Sequence, residues 1–175
     1  MFTLPATETK VKVTSVYDQL ANATKPMIIC IGGAGSSKSY SLAQLFIYRF
    51  INEQKKIFGI CRKTMPALKM TAMKLVIGLL KDYGIYQHCE HNKTDHIITL
   101  GNNLIQFFSL DDPERIKSAE FSYLWLEEAG EFIVDDFLIL RMRLRVPTSG
   151  EINQIFLTCN PNDANNWIAD LCGRG

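Results

Sequence analysis

Residues 27–39 read Met27-Ile28-Ile29-Cys30-Ile31-Gly32-Gly33-Ala34-Gly35-Ser36-Ser37-Lys38-Ser39. The first five are apolar, which is typical of a strand buried on both faces of a parallel sheet. Apolar residues then recur at helical spacing from Leu42 to Phe50. A strand, a glycine-rich turn and a helix therefore follow one another. The turn fits the pattern G-x-x-x-x-G-K-[ST], except that serine replaces the glycine before the lysine, and it predicts a phosphate-binding loop.

In such a loop, backbone N–H groups and the start of the next helix surround phosphate oxygens. We predict nucleotide binding by Gly32, Gly33, Ala34, Gly35, Ser36, Ser37, Lys38 and Ser39. Lys38 is expected between the β- and γ-phosphates, and the Ser39 hydroxyl is expected to bind Mg²⁺, so ATP and Mg²⁺ are the predicted cofactors. Serine is acceptable at position 37 if its φ is negative, because only a positive φ favours glycine. The alternative is a plain turn, which does not explain a lysine and a hydroxyl together at a helix start.

A second apolar strand, Tyr123–Leu126, ends in two adjacent carboxylates. We predict that Glu127 holds the Mg²⁺ ion and that Glu128 polarises the attacking water. Neighbouring side chains on a strand point to opposite sides, so both can serve one site only where the strand ends and the chain turns. The alternative is that Glu127, Glu128 and Glu131 are acidic residues that favour the start of the next helix. The second carboxylate favours an ATP-hydrolysing motor over a kinase or GTPase.

A third apolar strand, Gln154–Cys159, is followed by Asn160-Pro161. Thr158 and Asn160 are polar residues at the end of this buried strand, and we predict that they contact the γ-phosphate or the attacking water. The alternative is a strand cap followed by an Asn-Pro turn.

The remaining pattern completes the predicted architecture. It indicates a helix at 14–22, a strand at 57–61, a helix from Pro66 to Gly84, a hairpin around Gly101-Asn102-Asn103 and a helix at 132–141. Strands that alternate with helices predict a three-layer, doubly wound α/β domain with a mostly parallel central sheet.

Composition limits the partners. The chain has 175 residues, 19 Lys+Arg and 18 Asp+Glu, so any contact with nucleic acid must be local. We expect one domain over residues 1–175, and a cytosolic location, because no apolar run spans a bilayer and no signal peptide is recognisable.

Three histidines and a cysteine, at positions 88, 91, 96 and 89, raise the alternative of a zinc site, but no second ligand pair supports it.

These motifs together resemble a known family. The loop Gly32–Ser39, the strand end Trp125–Ala129 and the stretch Leu157–Pro161, in this order and spacing, resemble the ATPase domain of tailed-phage large terminase subunits. Residues 60–64 and 110–118 add to a similarity that runs from about 27 to 167. The resemblance implies an additional-strand, catalytic-glutamate type of phosphate-loop ATPase. It also implies a homo-oligomeric ring on the portal protein that works with the small terminase subunit and pumps double-stranded DNA into a capsid in the bacterial host cytoplasm.

The sequence departs from the family in two ways. Many terminases carry an arginine in the loop, where this chain has Ala34. The family's second half is a nuclease domain that 175 residues cannot hold, so we expect no nuclease activity. The resemblance implies that an arginine from a neighbouring subunit completes the site. Arg115, in the predicted loop before the acidic strand, is the candidate in trans, and Arg62, at the tip of its strand, is the candidate in cis; the alternative for each is a solvated surface arginine.

The roles of a few further residues stay open, as do two competing functions. Arg141, Arg143 and Arg145 suit a solvated helix face better than a subunit interface or a DNA-facing edge. Tyr17 and Gln19 are candidates for adenine contacts. The competing functions are a DNA helicase or recombinase-like ATPase and a nucleotide-binding assembly module without turnover.

Overall fold

The computed structural model describes residues 2–3, 10–146, 152–161 and 167–173. Within these ranges the strands are β1 (Phe2–Thr3), β2 (Lys10–Val11), β3 (Met27–Ile31), β4 (Ile57–Arg62), β5 (Glu90–Asn92), β6 (Ile97–Leu100), β7 (Asn103–Ser109), β8 (Tyr123–Leu126) and β9 (Gln154–Cys159). The helices are α1 (Ser15–Ala21), α2 (Lys38–Asn52), α3 (Met65–Met70), α4 (Ala72–Asp82), α5 (Pro113–Ser118), α6 (Val134–Arg141) and α7 (Trp167–Leu171). Short 3-10 turns lie at Tyr86–His88 and Ala129–Glu131.

Seven strands form one sheet in the order β3-β9-β8-β4-β7-β6-β5. The first five are mutually parallel, and β6 and β5 extend the sheet as antiparallel strands. The predicted mostly parallel α/β sheet is confirmed. An additional strand, β9, lies between the strand before the phosphate loop and the strand that ends in the two glutamates, as the resemblance implied.

Helices cover both faces of the sheet. On one face, α1, α2 and α4 bury aromatic residues that include Phe46, Trp125 and Phe156, whose rings pack at near-perpendicular angles. On the other face, α5, α6 and α7 cover a second core in which Phe108 and Phe121 stack with centroids 5.2 Å apart. The three-layer prediction is therefore confirmed. The phosphate loop leads from the sheet into the layer formed by α1, α2 and α4.

The predicted single helix after Pro66 is wrong, because Thr71 divides it into α3 and α4. In a continuous helix the N–H of Ala72 would donate to the carbonyl of Leu68. Here it points to the Glu127 carboxylate at 3.4 Å, and the N–H of Thr71 donates to Leu68 instead. Gly84 ends α4 as predicted, with φ +67°, while the N–H of Ile85 closes the helix on Leu80.

Three other differences concern local structure. Strand β5, which is short and polar, was not predicted. Arg115 was predicted in a loop, but its backbone belongs to the short helix α5. Helix α6 ends at Arg141, so Arg143 and Arg145 lie beyond it; they contact the Lys117 carbonyl and Glu120. No helix in the described part of the chain has the length and apolar character needed to cross a bilayer.

Candidate active site

The predicted site residues follow three strands that are neighbours in the sheet. Strand β9 pairs with β3 on one side, with Cys30 opposite Thr158, and with β8 on the other, with Leu126 opposite Leu157. Because all three strands run in the same direction, the residues after them meet at one edge. The phosphate loop, Asn160 and the two glutamates are therefore brought together there.

Lys38 begins α2 and is only 9% exposed. Its Nζ donates to the carbonyl oxygens of Gly32 at 2.7 Å and Gly33 at 3.4 Å, and to Oδ1 of Asn160 at 3.2 Å. The ammonium is thus held by three neutral oxygens inside the curve of the loop. An ammonium in this position can exchange neutral acceptors for the charged oxygens of a phosphate, which form stronger hydrogen bonds.

Ser37 departs from the expected negative φ. It has φ +60° and ψ +6°, in the left-handed region that favours glycine. The reason is the sharp entry into α2, because Ser37 sits outside the helix while its carbonyl already accepts the first intrahelical bond from Ser41 at 2.8 Å. The loop therefore stores strain of about 1–2 kcal/mol at the position where the motif has glycine.

Glu128 lies at the turn that the prediction required. Strand β8 ends at Leu126, and Glu128 has φ +50°, a second left-handed conformation at this edge. Its Oε2 accepts a hydrogen bond from Nδ2 of Asn160 at 3.1 Å. Asn160 thus contacts Lys38 through its oxygen and Glu128 through its nitrogen, and one amide joins the phosphate loop to the predicted base.

Glu127 is buried against the break between α3 and α4. Its Oε2 lies 2.5 Å from the Thr71 hydroxyl, 3.4 Å from the N–H of Ala72 and 4.0 Å from Nη1 of Arg62. Burial raises the pKa of this carboxyl above its usual value, while the Thr71 hydrogen bond and the Arg62 charge oppose the shift. The carboxylate therefore faces the layer that contains α2, as expected from strand alternation.

Arg62 is the last residue of β4. The register of β4 with β8 places Arg62 beside Glu127. Its guanidinium makes a bidentate contact with Glu131, at 3.2 Å from Nε and 2.9 Å from Nη2, and Nη1 donates to Thr71 at 3.2 Å. Arg62 thus reaches the acidic strand end but is already paired. The side chain of Arg115 lies outside the described part of the structure.

Thr158 is fully buried in β9, two residues before Asn160. Its hydroxyl accepts a hydrogen bond from Nε1 of Trp125 at 2.9 Å, within the aromatic core. Of the two polar residues predicted at the end of β9, only Asn160 contacts Lys38. The position of Thr158 suits a residue that holds the end of β9 in place, and its contact with a phosphate stays a prediction.

A groove of about 310 Å³ runs from the loop along β3, the edge strand of the sheet. It is lined by Gln19 and Val16 of α1, by Ile28 to Ile31 of β3, and by Lys38. Tyr17 is not part of this lining, because its side chain packs into the core and is 5% exposed. Of the two candidates for adenine contacts, only Gln19 lines the groove.

The residues present fit a nucleotide. The loop is open to solvent, the first turn of α2 leaves backbone N–H groups without intrahelical partners, and a partly apolar groove adjoins it. For Mg²⁺, the chain offers the Ser39 hydroxyl and the glutamates after β8, which are oxygen ligands of the type this ion prefers. Among the described residues, no three His, Cys, Asp or Glu side chains form a metal-binding group.

The cluster considered as a zinc site is spread over separate contacts. Nδ1 of His91 lies 2.8 Å from the hydroxyl of Tyr86, and Sγ of Cys89 donates to the carbonyl of Ile85. Burial lowers the pKa of His91 and raises the pKa of Cys89 to about 11.

Two contributors were not foreseen from the sequence. Thr71 lies within a continuous helical pattern, so nothing in the spacing marks it as a partner of Glu127. Glu131 was considered only as an acidic residue near a helix start, whereas the structure pairs it with Arg62. Both contacts join segments that are far apart in the chain, and only the sheet order shows them.

Comparison with known proteins gives one consistent result. The family model described as "Phage terminase large subunit" matches residues 24–171. The PBSX phage terminase large subunit of Bacillus subtilis (strain 168) is 26% identical over 153 residues, which cover 86% of this chain and 34% of that protein. The chain therefore spans about a third of the length of this curated relative.

Solved structures agree in fold. The large terminase of a thermophilic bacteriophage superposes with a TM-score of 0.71 at 17% identity, covering 86% of this chain and 40% of that chain. Its complex with ADP gives 0.69 at 18% identity, covering 86% and 39%. The N-terminal domain of the DNA packaging ATPase from bacteriophage phi29 gives 0.59 at 16% identity, covering 83% and 81%.

Proposed function

The chain belongs to the phage terminase large subunit family, and on that premise we propose that it hydrolyses ATP with Mg²⁺ as the motor domain of a viral DNA-packaging machine. The observation that carries this proposal is the continuous contact from Lys38 through Asn160 to Glu128. It joins a phosphate-binding lysine to a carboxylate that can act as a base. A nucleotide-binding module without turnover has no use for the second of these groups.

ATP binding rests on the loop and the groove. The triphosphate lies against residues 32–39, and Lys38 turns from the loop carbonyls towards the β- and γ-phosphates. The base of the nucleotide occupies the groove along β3, where Ile28 and Ile31 provide apolar contacts and the side-chain amide of Gln19 provides a polar one. The likeness in fold to a terminase whose structure was solved with ADP supports nucleotide binding in general.

Hydrolysis rests on Glu128. As general base it accepts a proton from the water that attacks the γ-phosphate, and Asn160 orients the carboxylate through Nδ2. Ser39 and Glu127 would hold the Mg²⁺ ion, which would neutralise phosphate charge. The contacts of Glu127 with Thr71 and Arg62 hold that carboxylate in place on the side of the sheet that α2 and α4 cover.

The assembled motor is also part of the proposal. It is a homo-oligomeric ring that works on double-stranded DNA in the host cytoplasm, together with the portal protein and the small terminase subunit. Arg115 completes the site of a neighbouring subunit in trans, and Arg62 acts in cis once it is released from Glu131. An arginine finger of this kind contributes a factor of about 10³–10⁵ in rate.

The test separates binding from chemistry. Glu128→Gln keeps the size of the side chain and its contact with Asn160 but removes the basic group, so ATP affinity is retained while turnover falls by about 10²–10⁴. Calorimetry measures the first and phosphate release measures the second. If Glu128→Gln turns over ATP within about twofold of the parent, another residue is the general base, and Glu127 is the next to examine.

The trans arginine has its own test. Arg115→Ala and Glu128→Gln subunits are each expected to be inactive alone, but a mixed assembly contains interfaces that pair an intact Arg115 with an intact Glu128. Recovery of phosphate release on mixing supports the trans role. Full activity of Arg115→Ala alone would indicate that Arg115 is a solvated surface arginine. It would favour Arg62 as the arginine that completes the site. Stimulation that requires single-stranded DNA would point to a helicase instead of a packaging motor.

A further inference from the structure

The charge of this chain is unevenly distributed. Residues 54–81, between Glu53 and Asp82, contain seven lysines and arginines and no aspartate or glutamate, although the whole chain has 19 basic and 18 acidic residues. This segment comprises β4, α3 and nearly all of α4. A neutral protein therefore carries one strongly basic section, and the rest of the chain is net acidic.

The exposed side of α4 carries two of these seven basic residues. Lys74, Gly78 and Lys81 follow at intervals of four and three residues and so share one side of the helix, which we call the basic ridge. The opposite side of α4 is buried, with Val76 and Leu80 at its centre. Lys63 and Lys69, before and within α3, are exposed as well. In the part of the chain that the structure describes, neither Lys69 nor Lys74 forms an ion pair with a carboxylate.

Gly78 gives the ridge a second unusual feature. Glycine inside a helix costs about 1 kcal/mol relative to alanine, so a packing reason is expected for it. There is none, because a Cβ placed at Gly78 would meet nothing within 4 Å. The glycine instead leaves the helix backbone uncovered midway between two exposed lysines, which suits the close approach of a binding partner.

We propose that the basic ridge binds the sugar-phosphate backbone of double-stranded DNA. This inference rests on the proposed packaging function and names the surface that function would use. Lysines are flexible point charges that contact phosphates without the bidentate geometry that arginine uses to read bases. Phosphate contacts carry no sequence information, and a packaging motor has to bind DNA of any sequence.

The ridge is also close to the chemistry. Helix α4 begins at Ala72, whose N–H points to Glu127, and Lys74 lies only two residues further on. Thr71, at the break before α4, is 2.5 Å from the same carboxylate. A displacement of the Glu127 carboxylate would therefore move the first turn of α4, which carries Lys74.

A matched pair of substitutions at Gly78 tests the ridge. Both Gly78→Glu and Gly78→Gln favour the helix and extend into open space, but only the glutamate adds a negative charge between the lysines. Binding of a short duplex of mixed sequence is measured by fluorescence anisotropy over a range of salt concentrations. Gly78→Glu is expected to weaken binding about tenfold or more, whereas Gly78→Gln stays within about threefold of the parent. Equal affinities of the two variants would overturn the inference.

A second pair controls for overall charge. Lys74→Ala/Lys81→Ala is compared with Lys12→Ala/Lys25→Ala, which removes two exposed lysines that flank α1 in the chain, outside residues 54–81. Only the first pair is expected to lower the slope of log affinity against log salt, by about one per lost phosphate contact. An equal loss in both pairs would overturn the inference.

The parent protein supplies two more decisive measurements. Failure to bind the duplex at low salt would overturn the inference, and preference for polyglutamate over DNA would assign the ridge to an acidic protein partner. Phosphate release measured on the same samples keeps the two proposals separate. A ridge variant that loses DNA binding but hydrolyses ATP like the parent supports both, whereas a parent that binds the duplex as expected without hydrolysing ATP supports the ridge and contradicts the proposed function.

Discussion

Nδ2 of Asn160 donates a hydrogen bond to Oε2 of Glu128 at 3.1 Å. The oxygen of the same amide accepts a hydrogen bond from Lys38 at 3.2 Å. The side chain that holds the predicted base therefore also contacts the lysine of the predicted phosphate loop. In the proposed mechanism, ATP draws Lys38 away and makes the oxygen of Asn160 available to the attacking water, while its nitrogen still orients Glu128.

Asn160→Ala tests this arrangement. The substitution removes the donor to Glu128, so turnover is expected to fall by about 10–100-fold, whereas ATP affinity changes by less than about fivefold because the loop retains its other contacts. Asn102→Ala is the matched control, since Asn102 is exposed in the turn before β7, at the amino-terminal end of that strand. If Asn160→Ala matches the parent in phosphate release, Asn160 has no role in orienting the base.

Lys38→Ala addresses nucleotide binding. The variant lacks the ammonium that contacts the carbonyls of Gly32 and Gly33, and we expect ATP affinity to fall below detection by calorimetry. The fold is expected to persist, because the amine bonds only to neutral oxygens that remain accessible to water at the loop surface. Circular dichroism checks the fold. Unchanged affinity in a folded variant would contradict the phosphate-loop assignment.

Ser37→Gly is expected to stabilise the protein. Relief of left-handed strain, about 1–2 kcal/mol, exceeds the entropic cost of glycine, about 0.5–1 kcal/mol. The free energy of unfolding should rise by up to about 1 kcal/mol in a denaturant titration. Ser36→Gly is the matched control, because the φ of Ser36 is not positive, and it should lower stability. The same sign for both variants would argue against strain at Ser37.

Cys30 reports on the nucleotide groove. Burial raises the pKa of both Cys30 and Cys89 to about 11, and the nearby Lys38 charge only partly opposes the shift at Cys30. Thiolates are the species that iodoacetamide alkylates, so both cysteines should react slowly near pH 8 and faster as the pH approaches 11. Because Cys30 lines the groove and Cys89 packs against the core elsewhere, ADP should protect only Cys30.

Peptide mass spectrometry at about pH 10 measures both cysteines in one sample. Equal protection of Cys30 and Cys89 would indicate a general stabilisation of the fold. No protection of Cys30 at saturating ADP would place the base of the nucleotide outside the groove.

Much of this protein is determined by local sequence. The apolar run before Gly32, the lysine at the start of α2 and the apolar strand before Glu127 each specify their own element, because burial on both faces of a sheet requires continuous apolar residues. The family resemblance followed from the same motifs. These signals are local in the chain, so they could be read without knowing which strands are neighbours.

The tertiary structure decided the contacts between distant segments. Strand order alone placed Asn160 between Lys38 and Glu128, and the register of β4 with β8 alone brought Arg62 beside Glu127. The break at Thr71 arose because a carboxylate from another strand took the N–H of Ala72, which a helical pattern cannot reveal. Likewise, the positive φ of Ser37 reflects how sharply the loop must enter α2. Local sequence thus determined the elements, and the packing of the sheet determined their contacts, because those hydrogen bonds join residues up to 122 positions apart.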